Sequence, residues 1–294
     1  MLKATVGLTP HITLTFGVKH MIKDIGRLNL DDYKLIEAQV EKIFLNLSKD
    51  KIDLARKQIT EMANTPNYFV REEMGKRLAE YEGPGAMESV CAELLEDHIY
   101  GIRATALFYF YYSRQDDIAV IIKILEKTFE SVPWESETIL FDLWKRDPET
   151  MKSMMPQWAK SPNEKKRAMS MHGMENIAQR NPQYVLTFIA RILDDESTEV
   201  QKKISHVLTQ VGRYRPLHTY VNIRRWLQDG DEDRARTLWN TMKKLANLIT
   251  DRNQRDQSPE FVSTTRETIA QWRKDSSPLV AQMGNRLYLI TRSR

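Results

Sequence analysis

Two histidines, His172 and His206, stand 34 residues apart in this chain of 294, and two glutamates, Glu135 and Glu137, follow the pair Pro133–Trp134. A histidine pair invites a metal-site reading. It fails on geometry: the two fall at equivalent points of an internal repeat, about 10 Å apart as packed helices are, and no third ligand is evident. The glutamates, taken alone, read as acids that the helix dipole favours in a first turn. Trp134 either faces a binding surface or plugs a gap between packed helices. The bases carry more meaning in their placement than in their number. A net charge of +4 barely favours an anionic partner, yet bases cluster as "NEKKR" (163–167), "VQKK" (200–203), "GRYR" (212–215) and "NIRRW" (222–226). The acids between them gather in "DDESTE" (194–199), which reads as an exposed loop. Cys91 is the sole cysteine, so an internal disulfide and a cysteine-built metal site are both excluded. No Gly-rich phosphate loop and no Ser-His-Asp or Cys-His spacing stands out.

The elements that must position these residues are helical. Pro148, Pro182 and Pro216 recur every 34 residues, each opening an amphipathic run. Proline suits a first helical turn because its missing N–H would be unpaired there anyway. Asp147 and Asn181 precede two of them as capping residues; Arg215 precedes the third and is a poorer cap. After each proline the pattern predicts a short helix, a polar turn ("KSPNE", "DDESTE"), and a second helix reaching the next proline. Val200, Ile204, Val207, Leu208 and Val211 mark one buried face of such a second helix. Lys203, His206, Gln210 and Arg213 run along its polar edge. Ala168, Met171, Ile177 and Ala178 are the buried set one repeat earlier. Trp144, Ala178 and Gly212 superpose at the 34-residue offset, so one packing position shrinks along the array.

Two-helix units of this length predict an all-α fold, a right-handed α-solenoid of HEAT-like repeats with irregular terminal helices. "IAVIIKILE" (118–126) lies two periods before "VLTFIARIL" (185–193), and "RATALFYFYY" (103–112) is expected to be the inner helix leading into it. Beyond Trp226 the period lapses into one longer helix, a polar loop and two further helices. The expected division is an irregular arm over 1–30, repeats over 31–226 with a concave groove, and a helical extension over 227–294 that caps the stack. No apolar run approaches the roughly 18–20 residues of a membrane helix. The first residues lack the basic-then-apolar order of a secretory signal. A cytoplasmic protein is expected.

"MMPQWAKSPNEKKRAMSM" (154–171) resembles the central repeat of the bacterial HEAT-like-repeat DNA alkylation repair proteins, in which a Pro-x-Trp ends one helix and an Arg-Ala opens the next. "EVQKKISHVLTQVGRYRPLHTYV" (199–221) is similar to the repeat that follows, and "ELLEDHIYGIRATALFYF" (93–110) to the N-terminal half. The resemblance covers about residues 60 to 226 and implies a basic groove that grips duplex DNA around an alkylated base. It implies further a glycosylase that cuts the bond between an alkylated purine and its sugar, with no metal and no cofactor. An N-alkylated purine is cationic and leaves readily, so a carboxylate that stabilises positive charge at the sugar and orients a water is sufficient. Aromatic faces pack on the exposed nucleotide. The family pattern resembles W-D-x-V-D. Here the segment is "PWESETILFDLWKRDP" (133–148), about four residues shorter, so the resemblance puts Trp134 in the aromatic's place and Glu135 and Glu137 in that of the acids. Arg167 matches the family's DNA-gripping arginine, and His206 stands where a second Trp is found. Lys202, Lys203 and Arg213 complete the expected DNA contacts.

Three functions follow as alternatives. The first is a glycosylase acting on alkylated duplex DNA. The second is a non-catalytic DNA-binding relative with the same groove. The third is a protein-interaction solenoid, for which the C-terminal helices offer a partner surface. A monomer is expected.

Overall fold

The computed structural model of the protein describes residues 25–83, 85–250 and 252–292. Sixteen α-helices and one 3-10 turn make up its regular structure, with no strand among the described residues. The expected arm over 1–30 lies outside the described residues as far as residue 24. None of the described helices is long and apolar enough to cross a membrane.

The chain forms two compact units, one ending at Ser113 and the other beginning at Arg114. The first contains α1 (Leu30–Ser48), α2 (Ile52–Ala63), α3 (Tyr68–Leu78), α4 (Ala86–Leu94) and α5 (Tyr100–Ser113). Asn29 starts α1 with a capping box: its side chain accepts from the N–H groups of Asp31 and Asp32, and Asp32 accepts from Asn29 N–H. The aromatic run of α5 is helical because α3 lies flush against it. A Cβ on Gly75 would stand 2.4 Å from the Phe108 Cβ, so only glycine allows this approach. Phe108, Tyr109, Phe110 and Tyr111 are all buried, and the Tyr112 hydroxyl donates to Glu72 at 3.1 Å.

The second unit contains α6 (Ile118–Thr128), α7 (Pro133–Arg146), α8 (Pro148–Trp158), α9 (Glu164–Met169), α10 (Glu175–Ala178), α11 (Pro182–Ala190), α12 (Thr198–Tyr214), α13 (Pro216–Gln228) and α14 (Glu232–Leu248). A 3-10 turn (Gln254–Asp256), α15 (Pro259–Trp272) and α16 (Pro278–Arg292) complete it. Alternate helices lie together: α12 packs on α9, α10 and α14, while α13 packs on α11 and α15. The stripe Val200, Ile204, Val207, Leu208 and Val211 is wholly buried. Each such side chain contributes at most about 1.5–3 kcal/mol, far more than any cap on the same helix. The 226/227 boundary expected from the lapse of the repeat falls within this unit, where α14 packs on α12.

All three repeating prolines open helices. Asp147 caps α8, accepting from Thr150 N at 3.1 Å and from Thr150 Oγ1 at 2.6 Å. Asn181 makes no capping hydrogen bond, and α11 starts on the fixed φ of Pro182 alone. The second helix of the 148–181 repeat departs from expectation in being broken into α9 and α10. Gly173 sits at the break with φ +90°, and a Cβ there would lie 2.7 Å from Trp144 Cδ1. The bulk of the fully buried Trp144 interrupts the helix. At the corresponding point of the next repeat stands Val207, buried within the unbroken α12; further along that helix the small Gly212 lets Leu245 approach.

Candidate functional site

The register of α7 separates the two expected acids. Ile139 and Leu143 are buried, and Glu135 lies four and eight residues before them on the same helical stripe. Glu135 is accordingly buried, with Ser136 beside it. Trp134 is 73% exposed, and Glu137, three residues on, shares its side of the helix and is half-buried. Of the two carboxylates only Glu137 is presented to a ligand; Glu135 faces the core.

Glu137 is the centre of a cluster drawn from α7, the α9–α10 turn and α12. Lys203 Nζ donates to Glu137 Oε1 at 3.0 Å and also to Nδ1 of His172. His172 Nδ1 is itself 3.6 Å from Glu137 Oε1. Because an ammonium only donates, Nδ1 of His172 is the acceptor and the ring proton sits on Nε2. Burial and the Lys203 charge push the His172 imidazolium down to about 4, against the opposing pull of Glu137 and Glu175. A second acid–imidazole pair lies next to it, His206 Nε2 at 3.5 Å from Glu175 Oε1. Glu175 Oε2 is buried and unpartnered. Burial raises the Glu175 carboxyl, but the His206 hydrogen bond, a backbone N–H and the neighbouring imidazoles outweigh it and leave it below its ordinary range.

The sign of this arrangement gives a pH prediction. A histidine held below its ordinary value stabilises the fold fully above about 6.5, and loses that contribution as the pH falls toward 4. Urea unfolding between pH 7 and 4 should show an acid-side loss of stability that His172→Gln removes in part. Identical pH profiles for the two proteins would contradict a buried neutral imidazole.

The remaining expected contacts lie on other partners. Arg167 grips Asp195 through Nε and Nη2 at 2.6 and 3.0 Å, and its Nη1 donates to the carbonyls of Ser161 and Pro162 at 2.9 and 3.0 Å. Four of five N–H groups are thus engaged in holding the turn before α9 to the loop before α12. Lys202 is exposed and pairs with Glu199 at 2.8 Å. Arg213 donates to Gln257 Oε1 at 3.1 Å, so it anchors the loop after α14. Lys203 and His206 are brought into the Glu137 cluster; Arg167, Lys202 and Arg213 are not bonded to it. Glu175 is the residue that sequence reasoning missed. Its pairing with His206 arises from the packing of α10 on α12, which leaves no local signal in the sequence.

The cluster holds two carboxylates, Glu137 and Glu175, against one ammonium, with His172 neutral, and the exposed Trp134 lies one turn before Glu137 on α7. Such a site favours a cationic, planar ligand. Among the described residues no group of three or more His, Cys, Asp or Glu side chains is placed to hold a metal ion. No curated protein sequence matches the chain. Residues 65–236, well over half of it, match the family model of the DNA alkylation repair enzymes. By that match, which takes in Trp134, Glu137, His172 and Lys203, the chain belongs to the DNA alkylation repair enzyme family.

Proposed function

We propose that the protein is a glycosylase that releases alkylated purines from duplex DNA, built as a right-handed solenoid of HEAT-like repeats and acting as a cytoplasmic monomer. The solenoid reading is supported by the packing of alternate helices, α12 on α9, α10 and α14, and α13 on α11 and α15. Trp134 packs on the exposed nucleotide. Glu137 stabilises positive charge as the glycosidic bond breaks and orients the attacking water. The observation that carries this reading is the pairing of an exposed Trp134 with Glu137 on one helical face, inside a cluster with surplus negative charge suited to a cationic base. Arg167, Lys202, Lys203, His206 and Arg213 are the proposed contacts to the DNA strand.

A second reading, a DNA-binding relative without base release, draws on two observations. Where the W-D-x-V-D pattern ends in an acid, four residues after the Trp, this chain has Thr138, whose hydroxyl donates to the Trp134 carbonyl at 3.1 Å. Lys203 also stands directly on Glu137. The deciding experiment is release of modified bases from methylated genomic DNA, compared with a heat-only control. Release supports the glycosylase. No release at high protein concentration, with retained salt-dependent duplex binding, supports the second reading.

A further inference from the structure

Outside the Glu137 cluster, α12 and α14 enclose a cleft of about 530 Å³. Its walls include Lys202 and Ser205 from α12 and Asn240, Lys243, Lys244 and Asn247 from α14. The α14 residues recur at spacings of three and four, so they form one face of that helix. No aspartate or glutamate lines this cleft, whereas the neighbouring one, at the starts of the same helices, is lined by Asp194, Asp195, Glu196, Asp229, Asp231 and Asp233 against Arg234 and Arg236, and is acidic on balance. The two clefts thus have opposite electrostatic character.

Lys243 and Lys244 are exposed, and neither has an ion-pair or hydrogen-bond partner among the described residues. Lys202 has one, the exposed Glu199, and an ion pair so open to solvent is worth little. Ser205 supplies an independent sign. It is 2% exposed and its hydroxyl has no hydrogen-bond partner, although it lines the cleft. A buried hydroxyl left unpaired costs about 1–3 kcal/mol, so an acceptor arriving in the cleft relieves it. The available groups are cationic or neutral donors around a donor hydroxyl. The matching ligand is a compact anion rich in acceptor oxygens.

We propose that the cleft between α12 and α14 is a phosphate-binding site, with Lys202, Lys243 and Lys244 supplying charge and Ser205, Asn240 and Asn247 supplying hydrogen bonds. The family match ends at residue 236, so the α14 half of the site stands on this chain alone. The phosphate is either a phosphodiester of a nucleic-acid strand or a free phosphate or phosphomonoester. Only the first source rests on the DNA reading above.

The test begins with inorganic phosphate titrated into the full, ¹⁵N-labelled protein, with chloride at matched ionic strength as control. Saturable shifts at the amides around Ser205, Lys243 and Lys244 are expected. They should vanish in Lys243→Ala/Lys244→Ala, and Ser205→Ala should weaken binding about three- to tenfold. Thermal midpoints close to wild type confirm that the variants fold. A second arm measures affinity for undamaged duplex DNA against salt. If the phosphate comes from a strand, the double variant lowers the slope of log K against log salt by about 1. Phosphate shifts with an unchanged slope assign the site to a free phosphate or phosphomonoester. Neither a saturable shift nor a change in slope overturns the proposal. Base release that persists in the double variant then leaves the glycosylase reading in place. Conversely, a wild-type protein that ignores DNA but binds phosphate here sinks that reading and not this one.

Discussion

Glu137→Gln should lower release of alkylated purines by about 100-fold or more, the usual effect of removing a group aimed at developing charge, while duplex affinity stays within a few-fold of wild type. The substitution keeps the length of the side chain and an oxygen for Lys203, now 3.0 Å from Glu137 Oε1, but deletes the negative charge. Lys203 then becomes a less neutralised cation beside His172. Binding to the phosphate backbone is therefore expected to hold or to tighten while catalysis falls. That split separates a catalytic carboxylate from one that only shapes the surface, because a shaping role would move affinity and rate together. Wild-type rates of release from Glu137→Gln would remove the acid from the mechanism.

Glu135→Gln provides the matching control. Its side chain is buried, and disturbing a buried polar group costs roughly 1–3 kcal/mol. The expected result is lower stability with unchanged release per folded molecule. The two substitutions are chemically identical and only two residues apart, so opposite outcomes would trace directly to the register of α7.

That register was available in the sequence, since Ile139 and Leu143 follow Glu135 at four and eight residues and mark it as inward. The 34-residue recurrence of Pro148, Pro182 and Pro216 and the stripe from Val200 to Val211 were legible for the same reason: each signal lies within one helix or one repeat. What was not legible depends on pairing across repeats. Arg167 matches a DNA-gripping position by its neighbours, but its partner Asp195 lies in a loop 28 residues away, and only the packing of α9 on α12 joins them. Glu175 faces His206 from the next helix over, and local periodicity does not reveal that facing. The break at Gly173 is of the same kind. Trp144 reads from the sequence as one end of a shrinking packing series, and the structure buries it completely. Its consequence for a neighbouring helix needed the distance between them.

Gly173→Ala should destabilise the protein by roughly 3–5 kcal/mol, combining backbone strain with a clash that cannot relax. Gly173 has φ +90°, where a side chain is strained whatever the space. Its Cβ would stand 2.7 Å from Trp144 Cδ1, 2.8 Å from Phe141 Cα and 3.1 Å from Leu140 O. Two of these three neighbours are backbone atoms of α7, so relief requires moving the helix that carries Glu137. Gly212→Ala is the comparison. It meets only the terminal carbons of Leu245, the nearest at 2.9 Å, in ordinary helical backbone. There the gain in helix propensity opposes a small overpacking cost, and the net change should lie within about 1 kcal/mol of zero. Chemical unfolding of both variants measures the difference. Equal stabilities would mean that the chain at the α9–α10 break adapts freely to a side chain, contrary to its close contact with α7. If the gap is as large as expected, base release per folded Gly173→Ala molecule should fall as well. His172 adjoins the altered residue and Glu175 lies two residues beyond it, so both acid–imidazole pairs shift when α7 and the break separate.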